Sequence, residues 1–316
     1  MLNEFFKAAI IINILAATIR IATPLLLAAL GELVTEKAGI LNLGVEGTML
    51  MGAFIGFLVA NKTGSQGIGL LAAILAGGVI GMLMAFMSST LKVDQVVTGM
   101  GINLLGSGVS LFWYRSAYPN FSLSDAALPT ITVMEKVKIP FLSDIPYLGP
   151  ILFSQRMLTY IAFLAVPVVW FFLYHTKFGL LIRGLGENPR AIDMKGVNVT
   201  RLQYLATIFG GMMAALGGTF VTLGSTIRFF PEITAGRGWL AIVIVIAGNW
   251  QPGRIMVATL LFALLDAFQL QLQGIGVQIP YQILLALPYI FAIIAMMGGR
   301  LRSVAPRRLG VPYQRE

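Results

Sequence analysis

Few residues in this sequence could do chemistry, and those few lie where charge is costly. Arg20, Asp266 and Glu46 fall inside long apolar runs, where an ionisable side chain needs a partner or a water-filled space and is a functional candidate for that reason. Arg20, followed by the helix-kinking Pro24, and Asp266 carry opposite charges. Counted along their helices, Arg20 lies roughly 17 Å from the inner end of its run and Asp266 roughly 18 Å from the inner end of its own. The matched depths predict a pair, direct or through water; the alternative is that backbone, solvent or another neighbour satisfies each. Asn42 and Glu46, four residues apart, share a helix face. They read either as the polar lining of a pathway or as a helix entry with Glu46 set against the N-terminal dipole.

These groups suit charge relay or polar recognition better than bond-making. The sequence contains no His-Glu-x-x-His and no Gly-x-Ser-x-Gly, and no pair of carboxylates at helical spacing falls within the predicted spans. It has no Cys and a single histidine, His175, which excludes a disulfide, a cysteine nucleophile and a multi-histidine metal cluster within the chain. Gly99-Met100-Gly101 lacks the third glycine of a dinucleotide fingerprint, and no glycine-rich loop ends in Lys-Ser or Lys-Thr. The chain is therefore expected to be no enzyme, and to bind no cofactor, metal or ATP itself.

One polar island has its own helix punctuation. In Leu185-Gly186-Glu187-Asn188-Pro189-Arg190-Ala191-Ile192-Asp193-Met194-Lys195-Gly196, Asn188 can cap a helix, Pro189 suits the first helical position and Gly196 can end it in a left-handed conformation. A helix so built, outside the membrane, must touch something.

The surrounding composition is that of a polytopic membrane protein: 57% hydrophobic and 11% charged, with mean hydropathy +0.85, against about 25% charged in soluble domains. Apolar runs predict about nine spans (8–10), near 8–31, 43–60, 67–91, 95–114, 153–174, 202–224, 238–250, 254–273 and 279–298, in an all-α fold. The long connections are 115–152, an extracytoplasmic insertion, and 175–201, which holds the capped helix; 225–238 could partly re-enter the membrane. Lys177, Arg183, Arg190, Lys195 and Arg201 in 175–201, and Arg300, Arg302, Arg307, Arg308 and Arg315 in the tail, make both segments cytoplasmic. Counting back puts the N-terminus outside, although Lys7 opposes this. The segment Met1-Leu2-Asn3-Glu4-Phe5-Phe6-Lys7 has no small-residue cleavage site and runs into a spanning segment, so no removable signal peptide is expected. The net charge of +9 follows from this loop bias, and no nucleic-acid partner is expected.

Glycines recur within the spans, at Gly77, Gly78 and Gly81, at Gly99, Gly101, Gly106 and Gly108, and at Gly210, Gly211, Gly217 and Gly218; close helix packing is their expected role. Phe112, Trp113, Phe229, Phe230 and Trp239, near the outer end, offer aromatic faces to a cargo or else anchor the interface. Interfacial hydration explains Gln269, Gln271 and Gln273.

Three runs together carry a resemblance. Gly31-Glu32 through Glu36-Lys37-Ala38-Gly39 to Asn42-Leu43-Gly44-Val45-Glu46-Gly47, the segment Gly186-Glu187-Asn188-Pro189-Arg190-Ala191 ending at Gly196, and Phe230-Pro231-Glu232-Ile233-Thr234-Ala235-Gly236-Arg237-Gly238 resemble the permeases of ribose-type bacterial ABC importers over most of the chain. Gly248-Asn249-Trp250-Gln251-Pro252 is more similar to the nucleoside branch, while the stretch from Ala258 to Ala263 departs from the family in having little glycine.

The resemblance implies a single transmembrane permease domain with the fold of the ribose and vitamin B12 importers, in the bacterial inner membrane. It also implies a second permease, identical or not, an extracytoplasmic substrate-binding lipoprotein, and a cytoplasmic ABC ATPase that holds ATP and Mg. The residues from Glu187 to Gly196 (Glu187, Asn188, Pro189, Arg190, Ala191, Ile192, Asp193, Met194, Lys195, Gly196) would be the coupling segment, with Ala191, Ile192 and Met194 as its apolar contacts. The implied cargo is a nucleoside, with a simple sugar such as ribose or galactose as the alternative. An ion-coupled secondary transporter, relaying charge through Arg20, Asp266 and Glu46, is the competing class.

Overall fold

The first apolar run does not stop at Gly31. It continues as one helix, α1, over Ala8–Lys37, so that Glu32 and Glu36 belong to a membrane helix at one-turn spacing. The structure, a computed structural model, describes residues 8–118, 129–274 and 305–314, with the isolated positions 286, 290 and 293. The ninth predicted span, 279–298, lies largely outside the described residues.

After α1 come α2 (Val45–Thr63), α3 (Gln66–Ala85) and α4 (Gln95–Ala117), then α5 (Met157–His175), α6 (Lys177–Glu187) and α7 (Pro189–Asp193). The last described helices are α8 (Val199–Thr219), α9 (Arg237–Ala247) and α10 (Pro252–Gly274). Wider π turns, Phe86–Thr90 and Phe220–Ser225, prolong α3 and α8. Six of the described helices are long and apolar enough to cross a membrane. α2 falls outside that set because Glu46, Thr48, Asn61 and Lys62 dilute its hydropathy, yet it is among the most buried elements.

α1, α2 and α3 pack around α8, with α5 and α10 against α1 and α4 against α2. The glycines bring these backbones together, as expected in lipid. A Cβ on Gly218 would lie 1.8 Å from the Met49 carbonyl oxygen, and one on Gly77 2.3 Å from that of Gly211. Two threonines of the α8 turn add hydrogen bonds across the same contact, Thr219 Oγ1 to the Gly52 carbonyl at 3.0 Å and Thr222 Oγ1 to that of Ala53 at 3.1 Å. Gly101 and Gly108 differ: neither has a neighbour within 4 Å of a notional Cβ.

The molecule has two distinguishable ends. At the near end Gly39, Gly186 and the tail at Arg308 meet: the Arg308 N–H donates to the Gly186 carbonyl at 2.8 Å and the Gly310 N–H to that of Gly39 at 3.2 Å. At the far end residues 129–156 cover α2, α3 and α8, with the Ile131 and Met134 N–H groups donating to the carbonyls of Ile227 and Leu223. This segment contains a short antiparallel pair, β1 (Lys136–Lys138) and β2 (Ser154–Arg156), with Val137 opposite Gln155. The expected spanning run from 153 therefore starts at Met157, and the domain is helical with one small sheet.

The seventh predicted span, 238–250, is also revised. α9 has 11 residues, about 16 Å of helix, too short to cross. From the end of α8 the chain instead descends from the far end as the irregular segment 226–236 and continues as α9 toward the near end. The expected re-entry of 225–238 is thus the outer half of a broken crossing, a form of backbone that membrane proteins hold only when protein surrounds it.

Candidate functional site

Two stretches of irregular backbone lie inside the domain, and their peptide groups need partners there. In the 38–44 turn, Gly39 takes the left-handed conformation, φ +86°. The Leu41 N–H donates to Gln95 Oε1 at 2.7 Å, the Asn42 N–H to Glu32 Oε1 at 3.0 Å and the Gly44 N–H to Asn42 Oδ1 at 3.0 Å. Asn103 of α4 clamps the following residues, accepting the Gly47 N–H at 2.7 Å and donating to the Leu43 carbonyl at 2.8 Å. Asn42, 2% exposed, is a turn-former here rather than a lining residue.

The second stretch is held by Glu46. Its Oε1 accepts the Thr234 hydroxyl at 2.6 Å and the Gly236 N–H at 2.9 Å, while Oε2 accepts the Gly238 N–H at 2.6 Å. A carboxylate so placed caps the buried N-terminus of α9 and meets its dipole. Glu46 thus meets a helix N-terminus as expected, but that of α9 and not its own. Arg237 serves the opposite polarity, donating through one guanidinium nitrogen to the carbonyls of Ile233 at 3.3 Å and Thr234 at 3.1 Å. At the other end of α9, Trp250 Nε1 donates to Glu36 Oε2. Glu32, Glu36, Asn103 and Arg237 are bracing residues that the sequence did not single out, and the early end given to the first span is why the two glutamates were missed.

The structure does not bring Arg20 and Asp266 together: among the described residues no ion pair joins them. Because α1 runs on to Lys37, Arg20 lies about 25 Å from its near end; burial holds the pKa of Arg156, just before α5, below its ordinary value, and the Arg20 charge adds to that. Asp266, on α10, is half-buried.

The five aromatic candidates also part company. Phe229, 1% exposed, packs edge-on against Phe54 at 5.4 Å and lies 5.1 Å from Tyr114, so it anchors the descending segment and offers no free face. Phe112, Trp113, Phe230 and Trp239 are 68, 48, 48 and 37% exposed.

At the near end the capped helix is present. Asn188 Oδ1 accepts the Ala191 N–H at 3.2 Å, Pro189 opens α7, and Gly196 takes φ +76°. An amphipathic helix not anticipated from the sequence, α6, precedes it. Ile192 turns inward, 7% exposed, against Gly184 and the core, whereas Met194 is 82% exposed. Of the three apolar contacts expected, Met194 and the half-buried Ala191 face outward, alongside Glu187, Arg190 and Lys195. The tail straps this surface, with the Tyr313 hydroxyl donating to Asp193 Oδ2 at 3.0 Å and Arg307 3.7 Å from Glu187.

These contacts tie the three runs of the resemblance into one unit. The family profile described as branched-chain amino acid transport system / permease component matches residues 14–297. The chain belongs to that family. It is 34% identical to a guanosine ABC transporter permease of Bacillus subtilis, over 95% of this chain and 96% of that one, and 31% identical to a nucleoside ABC transporter permease of Lactococcus lactis, over 92% and 93%. A Haloferax volcanii protein provisionally named a glucose ABC transporter permease is 38% identical over 84% of this chain and 79% of its own. No solved structure matches. As a permease of this family the chain is a multi-pass membrane transport subunit, and of its buried carboxylates Glu32 and Glu46 hold backbone N–H groups while Glu36 holds the Trp250 indole.

Proposed function

We propose that the chain is the permease subunit of an ABC importer that carries nucleosides across the bacterial cytoplasmic membrane. The observation that carries this reading is the likeness to the guanosine permease over nearly the whole of both chains. The glucose relative is more identical over a shorter stretch, and a simple sugar is the second cargo. The nucleoside-like run from Gly248 to Pro252 supports the first, although Trp250 braces Glu36 at the near end and so marks the branch without touching cargo.

In this reading the near end is cytoplasmic. Met194, Ala191, Arg190 and Lys195 form the surface that enters a groove on an ATPase subunit, which holds ATP and Mg, and the tail bonded at Gly186 and Asp193 keeps that surface rigid. Motion at α7 would reach the 38–44 turn through the paired contacts of Arg308 and Gly310, and from there the Glu36–Trp250 and Glu46–α9 braces. The far end, with its 129–156 cover, faces an extracytoplasmic binding protein, and a second permease completes the pathway. Reconstitution with the cognate ATPase, receptor and second permease tests the reading: nucleoside uptake should require ATP, and uptake without the ATPase would refute it.

A further inference from the structure

Beside the buried brace of Glu46 lies a second carboxylate, whose hydrogen bond is to a side chain and not to backbone. Glu232 sits in the descending segment between Phe229 and Ile233, which pack with Phe54, Phe57, Tyr114 and Val221, and Thr234, bonded to Glu46. Its contact is with α4: the Ser107 hydroxyl donates to Glu232 Oε1. Ser107 lies midway along α4, about 18 Å from Gln95 at its near end, so the carboxylate stands at membrane depth.

Glu232 is nevertheless exposed on this subunit. Its backbone is left-handed, φ +59°, as is that of Ala235, φ +48°, a conformation that residues other than glycine adopt rarely and keep only where the surroundings impose it. A carboxylate at that depth does not stay against hydrocarbon; it faces water or a polar partner. Phe230, 48% exposed, stands two residues before it.

We infer that Glu232 and Ser107 form a cargo-contact pair in the translocation pathway, taking the vicinal hydroxyls of a ribose. The inference rests on the nucleoside reading and names the part of the cargo this subunit touches. Two adjacent hydroxyl donors match the two oxygens of a carboxylate, Ser107 fixes one of those oxygens, and its own oxygen remains an acceptor. So small a set of contacts orients the sugar without trapping it.

The test uses the complete reconstituted importer with wild-type, Glu232→Gln and Ser107→Ala subunits, comparing uptake of guanosine with that of 2′,3′-dideoxyguanosine. Loss of a hydrogen bond to a charged group is worth about tenfold, so Glu232→Gln should slow guanosine uptake by about tenfold and leave the dideoxy cargo at its wild-type rate. Ser107→Ala should act in the same direction and more weakly. Equal slowing of both cargoes, or loss of the second permease on purification of Glu232→Gln, would overturn the inference and make Glu232 a structural contact. Uptake of neither nucleoside by the wild type, with sugar uptake intact, would overturn the nucleoside reading itself.

Discussion

Glu46 and Gly238 are mutually required: Oε2 of the first accepts the N–H of the second at 2.6 Å, and a Cβ on Gly238 would lie 2.4 Å from the Glu46 Cα. The acid satisfies the start of a helix that begins inside the protein, and the glycine lets the backbone come close enough to be satisfied. Glu46→Ala strips three donors of their acceptor at once, and the expected loss is about 3 kcal/mol, read as a lower unfolding temperature in detergent. Glu46→Gln keeps the shape and should lose less. An unchanged transition in Glu46→Ala would show that water replaces the carboxylate and that α9 needs no cap.

Met194 and Ile192 stand on opposite sides of one short helical segment, 82 and 7% exposed. Met194→Glu should leave folding intact and remove the ATPase from the purified complex. Ile192→Ala should instead cost about 3 kcal/mol by opening a cavity, with the ATPase still bound once the protein is folded. Co-purification together with thermal unfolding separates the two, and the reverse pattern would mean that α7 docks with its other face.

Tyr313 reaches Asp193 from the tail at 3.0 Å. Tyr313→Phe removes that hydrogen bond at a cost of about 1 kcal/mol, too little to unfold the domain but enough to loosen the strap. The expected result is more ATP hydrolysed per nucleoside imported. Equal stoichiometry in the variant would place the tail outside the coupling route.

Gly218 and Gly108 give a paired test of packing. Gly218→Ala drives a Cβ to within 1.8 Å of a carbonyl oxygen, which backbone alone must absorb, so the α2–α8 contact should fail and yield of folded protein collapse. Gly108→Ala meets nothing and gains about 1 kcal/mol of helix propensity. Expression and thermal unfolding of the two variants should therefore diverge in sign.

Much of this architecture was legible because hydropathy and helix punctuation are local properties. The capped segment at Asn188, Pro189 and Gly196 came through nearly whole, as did the glycine-mediated packing. Long-range partners were not legible. Glu46 was read against its own helix because its true partners lie nearly two hundred residues away, and Arg20 was matched with Asp266 by a depth count that began from a helix end six residues short. Glu32 and Glu36 escaped notice for the same reason: polar residues at the end of an apolar run read as an exit from the membrane, when here Glu32 holds the following turn and Glu36 holds Trp250. The exposure of Met194 and burial of Ile192 depend on where α6 and α8 place α7, which no local pattern records.

The central claim is best tested by uptake of labelled guanosine into vesicles carrying this subunit with its second permease, receptor and ATPase, with ATP supplied on the side of the tail, in wild type and Met194→Glu. The account predicts ATP-dependent uptake in the wild type and none in the variant. Uptake by this chain alone, driven by an ion gradient and indifferent to Met194→Glu, would contradict it.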